Sequence, residues 1–310
     1  MKLFATILII FLSSVLFAQK VKQQLIFELR VDNDMTFYTD QYYSNGIEFK
    51  VYAAFMNKSP LNFILLPNGK QSRVYYSLTF THKIYTPIEI YVPQIKGIDH
   101  PYASYLLIGS QKESFNHRNR YKLSSAIQIG VMGPASGGGY FQNTLHHNIS
   151  IADHVEGWDT QVGNDFCLQY SAMIEKGIVN VSWFELNAYV GGKLGIPHTE
   201  AQVGGYFRLG KFDDYFSHMG IDASTNWQLW FFVTGDLYFV NYNAAIQGGA
   251  YNQGVGRTIP YINSNIWHTR FGGTFVFKLI KLEIGQEVVS PSFPTALWHR
   301  WAYASLMIGF

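Results

Sequence analysis

Three segments far apart in the chain carry the side chains that could do chemistry. The first, VDNDMTFYTDQYYSNGIEFK (residues 31–50), gathers Asp32, Asp34 and Asp40 with Asn33, Ser44 and Asn45, in a chain that is 48% hydrophobic and 17% aromatic. The second ends in Asp99-His100-Pro101-Tyr102. The third, GPASGGGYFQNTLHHNISIADHVEGWDTQ, holds His146, His147, Asp153, His154, Glu156 and Asp159. A histidine of ordinary pKa, about 6.5, takes a proton from water at neutral pH, and a serine beside such a base can act as a nucleophile. Each type also has a plainer reading. Asn and Asp form turns, and a histidine in a glycine-rich loop is more often a solvated surface residue. His146, His147 and His154 invite a zinc reading, but no ligand spacing supports it.

What would bring these segments together is the architecture, and composition narrows that. The chain begins MKLFATILIIFLSSVLFAQK: a basic start, an apolar run broken only by Thr6, Ser13 and Ser14, then the small residue Ala18. That is the layout of a cleaved signal peptide over residues 1–18, which leaves one mature domain over 19–310. Beyond it no run of about 18 apolar residues remains, so helical membrane spans are excluded. Yet only 14% of residues are charged, beside 21 Tyr, 24 Phe, 7 Trp and 28 Gly. A transmembrane β-barrel accounts for both facts, because it needs only alternate residues to be apolar and carries aromatic girdles at its two interfaces. A soluble sandwich or lipocalin-like barrel would alternate too, but would not readily explain so many aromatics with so few charges. The net charge of +2 is too small to argue for nucleic acid, and the single Cys167 permits no internal disulfide.

Alternation is visible along most of the chain. In QLIFELRVDN, Leu25, Phe27, Leu29 and Val31 share one face and Gln24, Glu28, Arg30 and Asp32 the other, with Ile26 as the exception. Ile47, Phe49, Val51, Ala53 and Phe55 repeat the pattern against Glu48 and Lys50. Further runs near 72–84, 101–112, 119–132, 163–175, 178–191, 199–210, 226–240, 265–278, 279–290 and 299–310 make an all-β, antiparallel up-and-down barrel of about twelve strands, an even number as in bacterial barrels. The terminal WAYASLMIGF, closing on Phe310, resembles the last strand of outer-membrane barrel proteins. With both ends in the periplasm, the outer connections fall near 34–43, 85–100, 133–162, 192–198, 241–264 and 291–298, and turns such as Lys176-Gly177 lie inside. The 56–71 connection, MNKSPLNFILLPNGKQ, is too long for a turn. All three polar segments then meet at the outer rim. Lys96, Arg118 and Arg257 are the basic residues placed near that rim, and Tyr42, Tyr43 and Trp158 read as interface-belt aromatics.

With that placement, a set of ordered motifs is similar to a known family, the LpxR-type lipid A 3'-O-deacylases of Gram-negative outer membranes. The matching pieces are Asn33-Asp34, the stretch from Thr39 to Gly46 (TDQYYSNG), Ile84-Tyr85-Thr86-Pro87, and Asp99-His100-Pro101-Tyr102-Ala103. GVMGPASG from Gly130, QNTLH from Gln142 to His146 and GWDTQ from Gly157 follow in order. The resemblance covers the first half of the mature chain and is vaguer beyond about residue 165. It implies a twelve-stranded, monomeric outer-membrane barrel with a calcium-dependent esterase site at its outer rim, acting on lipid A within lipopolysaccharide and removing the 3'-linked acyloxyacyl group. Asn33 and Asp34 match the family's essential pair, Ser44 its Thr or Ser in the TNG-like turn, and His146 its QNxxH histidine. A lysine that some members place after the IYTP-like segment is not matched, since Lys83 precedes it and Lys96 lies beyond it.

Under that resemblance His146 is the general base, and Asp34 with Asn33 supplies the oxygens that a hard cation such as Ca²⁺ prefers. A calcium ion there would polarise the ester carbonyl, with activated water favoured over Ser44 as nucleophile. Two other readings remain open. A porin or structural barrel without chemistry is compatible with Glu28, Arg30, Glu48 and Lys50 on the lumen face, although those charges could equally pair and plug it. An outer-membrane phospholipase would use the same type of site.

Overall fold

A chain that must cross hydrocarbon with alternating strands has to satisfy every backbone donor and acceptor between strands, which only a closed sheet does. The computed structural model, which describes residues 25–37, 39–92, 97–149, 154–222, 226–252 and 254–310, is such a sheet. The expected signal peptide lies outside the described residues, as do Lys96 and Asp153. The strands are β1 (Leu25–Asn33), β2 (Tyr42–Ala53), β3 (Arg73–Thr86), β4 (Ala103–Asn116), β5 (Tyr121–Met132) and β6 (Asp165–Val181), then β7 (Phe184–Gly195), β8 (His198–Lys211), β9 (Gln228–Asn243), β10 (Asn265–Phe277), β11 (Ile280–Val289) and β12 (His299–Gly309). Each pairs antiparallel with its sequence neighbour, and β1 closes the barrel on β12 from Ile26↔Gly309 to Asn33↔Ala302. The twelve-stranded up-and-down barrel read from alternation is the fold observed.

The two faces of the wall separate as the alternation demands. Leu29, Leu78, Ile108, Phe231, Phe275 and Ile284 are exposed on the outside, where lipid would cover them,. Inside, charges meet opposite charges, across strands in Lys50 with Glu28 (3.5 Å), Lys83 with Glu48 (3.3 Å) and Lys122 with both Glu113 (3.0 Å) and Glu175 (3.2 Å), and along β1 in Arg30 with Asp32 (2.7 Å). The lumen therefore holds a polar, charge-paired interior around a cavity of about 690 Å³. Ile26, the exception to the pattern of β1, is only 1% exposed because it joins Tyr52, Phe115, Met219, Ile221 and Phe232 in an apolar cluster at the inner end of the lumen. At the outer end Tyr42, Ile246, Ile259, Phe293 and Ala296 form a second apolar cluster around the short helix α2 (Ala244–Gln247).

Several expected boundaries shift. Lys176-Gly177 is not a turn: β6 runs on to Val181 and the pairing only slips there, between Gly177 and Val179, so Ser182 and Trp183 make the turn. The outer connection expected at 192–198 shrinks to Ile196-Pro197. Arg118 sits in the turn between β4 and β5, at the end opposite the polar segments, because β4 runs from the outer end inward. It cannot belong to the outer rim. Tyr43 is not a belt aromatic either, since it is buried and its hydroxyl donates to Asp32 (2.6 Å).

The most deeply buried lumen pair is Arg208 with Glu185, 4% and 0% exposed at the side chain and 2.6 Å apart. Breaking one partner of such a pair leaves a buried charge unpaired, so Glu185→Leu is expected to cost about 3–5 kcal/mol in urea unfolding of the reconstituted barrel, and Glu185→Leu/Arg208→Met clearly less. Equal losses in the single and double variants would contradict the pairing.

Candidate active site

The third polar connection is not a loop but contains a helix, α1 (Gly138–Ile149), after a tight turn over Gly133–Ser136. It does not cap the barrel mouth. Ile84 of β3, on the lipid-facing side of the wall, packs with Ile90, Tyr102, Val155 and Trp158 beneath this connection, and His82 of the same face meets the Phe141 ring edge-on at 5.5 Å. The helix thus lies against the outer flank of β3 and β4. Glycines allow the approach: a Cβ on Gly138 would stand 2.3 Å from Ser104 Oγ, and one on Gly139 would stand 2.8 Å from the Trp158 ring.

On α1, Gln142 and His146 are four residues apart and so share one face. That face meets Asp40. Gln142 Nε2 donates to both carboxylate oxygens of Asp40 (2.9 Å each) while its Oε1 accepts from Trp158 Nε1 (2.9 Å). His146 Nε2 lies 3.2 Å from Asp40 Oδ2, and both side chains are largely shielded, at 17% and 22% exposure. Asp40 is held in turn through its backbone, whose carbonyl accepts from Thr86 Oγ1 (3.1 Å). Asn143, next along α1, grips the return strand of the connection by accepting from Val155 N (2.8 Å). The result is a carboxylate–imidazole pair fixed from three sides, an arrangement that orients a histidine for proton transfer.

The first polar segment supplies the rest. Asp34, 1% exposed, follows β1 and accepts from Gln41 N (2.9 Å) and Thr39 Oγ1 (3.0 Å), the two residues that flank Asp40. Burial pushes its carboxyl up to about 8, with the hydrogen bonds opposing and Asp40 adding to the rise,. Its backbone N–H reaches Ser44 O (3.4 Å). At Ser44 the β2–β3 ladder slips between Tyr43 and Asn45, so Ser44 faces no residue of β3 and Asn45 pairs with Ile84 on the outward side. Ser44 Oγ and Asn45 Oδ1 are both buried with no hydrogen-bond partner. Buried oxygens are rarely left so. Two orphaned oxygens in residues adjoining a buried, charge-starved carboxyl suit a hard cation: Asp34, Ser44 and Asn45 fit as its holders on chemistry. Asn33, opposite Asn45, has its Oδ1 engaged by Met35 N (2.7 Å), so its first visible role is to shape the turn.

All four residues singled out from sequence, Asn33, Asp34, Ser44 and His146, therefore lie on one outer flank, with Asp40 linking the β1–β2 connection to α1. Asp40, Gln142 and Asn45 were not recognised as members. The i, i+4 spacing of Gln142 and His146 was the available signal, hidden by reading a glycine-rich helix start as loop. Trp158 proves buried and bonded to Gln142 rather than part of an interface belt. His100 is buried, stacked on Tyr85 at 5.4 Å and pulled by burial down to about 4, so it stays neutral and apart. His147 is exposed, and among the described residues no cluster of three or more His, Cys, Asp or Glu could hold zinc. Of the basic residues placed near the rim, Arg257 donates to Gly97 O.

The family model described as "Outer membrane protein LpxR" matches residues 3–310. Among solved structures, LpxR from Salmonella typhimurium superposes with a TM-score of 0.73 at 17% identity, covering 92% of this chain and 100% of that one. The β domain of the Bordetella autotransporter BrkA covers 94% of this chain and 100% of its own at 10% identity, but its TM-score of 0.45 is too low to carry functional meaning. No curated protein matches the sequence.

If close contact at the start of α1 docks the helix, Gly138→Ala should lift it from the wall. Hydrogen exchange over 138–149 is expected to speed up by at least about tenfold, the equivalent of roughly 1.4 kcal/mol, while exchange in β7–β12 stays unchanged. Unaltered exchange in α1 would mean that the helix is held elsewhere.

Proposed function

The chain belongs to the LpxR family of outer membrane proteins, and we propose that it is a hydrolase of the outer leaflet that removes the 3'-linked acyloxyacyl group from lipid A. The observation that carries this reading is the shielded Asp40–His146 pair on the lipid-facing flank, with the unpartnered oxygens of Ser44 and Asn45 on the same side. A reaction centre outside the barrel wall suits a substrate that never leaves the membrane. Its acyl chains can lie along the apolar outer wall while the phosphorylated sugar stays at headgroup level.

In this mechanism Asp40 orients the His146 imidazole, which takes the proton from a water molecule that attacks the ester carbonyl,. The imidazolium then returns the proton to the departing sugar oxygen. Asp40 stabilises the imidazolium as it forms, and Gln142 fixes Asp40 so that the pair does not swing away. A calcium ion held by Asp34 with Ser44 and Asn45, when bound, supplies positive charge for the developing oxyanion. Asn33 shapes the turn that presents Asp34. Water is favoured over Ser44 as nucleophile because Ser44 Oγ has no hydrogen bond to the imidazole, which an activated serine requires,. The porin alternative has less support, since the lumen charges are paired across strands and apolar clusters occupy both ends.

Mass spectrometry of lipid A from membranes incubated with the purified protein tests the reading. Loss of an acyloxyacyl mass is expected with calcium and not with chelator. His146→Ala should lower the rate by about 10²–10⁴-fold, the span of one general base, and Asp40→Asn by no more than that. Intact lipid A beside released fatty acid from glycerophospholipids would move the chain to the phospholipase reading. No acyl release at all from a folded barrel would remove the hydrolase reading.

A further inference from the structure

The connection between β2 and β3 is far longer than the next inner turn, between β4 and β5, and alternation gives no reason for it. It makes two 3-10 turns, Ala54–Lys58 and Pro60–Phe63, the second capped by Ser59 Oγ accepting from Leu61 N (3.3 Å). It then runs along the outside of the barrel. On β4 and β5, Lys112, Ser114, Asn116 and Ser125 alternate with the lumen-lining Gln111, Glu113, Phe115 and Ser124, so they stand on the lipid-facing side. Polar side chains there are costly. All four are nevertheless buried, because the connection lies over them. Leu66 N donates to Ser125 Oγ (2.9 Å), Gly69 N to Ser114 Oγ (3.3 Å) and Asn116 Nδ2 to Lys70 O (2.7 Å). Lys112 Nζ lies 3.5 Å from the carbonyls of Asn62 and Leu65, and Tyr170 of β6 donates to Ile64 O (3.2 Å).

The other side of the segment is built differently. Phe55, Leu61 and Phe63 are exposed, Phe63 at 85%. Residues 54–72 carry Lys58 and Lys70, both exposed, and no acidic residue. The segment starts beside Leu25, whose carbonyl accepts from Phe310 N, and its apolar side continues into the exposed wall at Leu78 and Ile174. Apolar anchors beside unopposed positive charge make an element that lies in the plane of a membrane interface. We propose that residues 54–72 form a shelf in the periplasmic leaflet of the outer membrane, with Phe55, Leu61 and Phe63 at the acyl boundary and Lys58 and Lys70 against anionic phospholipid headgroups. The shelf seals the polar strip of β4 and β5 from hydrocarbon, whatever reaction the outer flank carries.

The chain has one cysteine, Cys167, and it is buried, so Cys167→Ser gives a background for labelling. A nitroxide at Phe63→Cys is compared with one at Leu78→Cys on the wall and one at Arg118→Cys in the neighbouring inner turn, in the whole barrel reconstituted in phosphatidylethanolamine–phosphatidylglycerol vesicles. The label at 63 is expected to collide with oxygen in preference to a water-soluble nickel chelate, as the label at 78 does. A label at 63 that meets the chelate as freely as the one at 118 would overturn the shelf. Protection from both reagents would also overturn it, since that is the signature of a protein surface covering Phe63.

Discussion

Hydrocarbon offers no hydrogen bonds, and every part of this molecule answers to that constraint. The backbone meets it by closing β1 on β12. Lumen charges meet it by pairing across strands instead of facing lipid. The outer wall meets it chiefly with apolar residues, and in two places a connection folds back to lie over polar side chains. At the inner end the cover is the 54–72 segment over Lys112, Ser114 and Ser125; at the outer end it is α1 with its return strand, over His82 and Ser104. The two covers differ in one respect. The inner one bonds Lys112, Ser114, Asn116 and Ser125 to its own backbone, whereas near the outer one Ser44 Oγ and Asn45 Oδ1 are left without partners.

That difference sets the two covers apart. A polar strip bonded by the segment above it has little capacity left for a ligand. Unsatisfied oxygens beside a buried carboxyl have a strong appetite for positive charge, and the low dielectric of a helix packed on an apolar wall magnifies it. The same shielding places the Asp40–His146 pair where a membrane-bound ester can arrive from the side. A site in the lumen would require a lipid to leave its leaflet. The paired charges and the apolar clusters within the barrel make such an excursion costly.

Much of the fold was legible because β-strands in a membrane have a period of two and little freedom to depart from it. Where the pattern faltered, a second constraint had intervened. Ile26 breaks the alternation of β1 because the inner end of the lumen is packed with apolar side chains. Lys176-Gly177 mimics a turn because a glycine stands where the pairing slips within a long strand. The site was legible in part. Asn33, Asp34, Ser44 and His146 stand out by their motifs, but Asp40 looks like one more turn former until α1 is seen to bring Gln142 and His146 onto it. Helix α1 escaped notice because its first turn is Gly-Gly-Tyr, chosen for close approach to Ser104 and Trp158 and poor in helix propensity,. Nothing local in MNKSPLNFILLPNGKQ reveals that its polar edge has a matching strip two strands away.

The most direct measurement for the central claim is anomalous diffraction from crystals of the protein soaked in strontium or a lanthanide in place of calcium. On this account a peak lies among the Asp34 carboxylate, Ser44 Oγ and Asn45 Oδ1, on the outer flank beneath α1, and disappears in Asp34→Asn. Peaks confined to the lumen carboxylates, with the outer flank empty in a form that still cleaves lipid A, would contradict it.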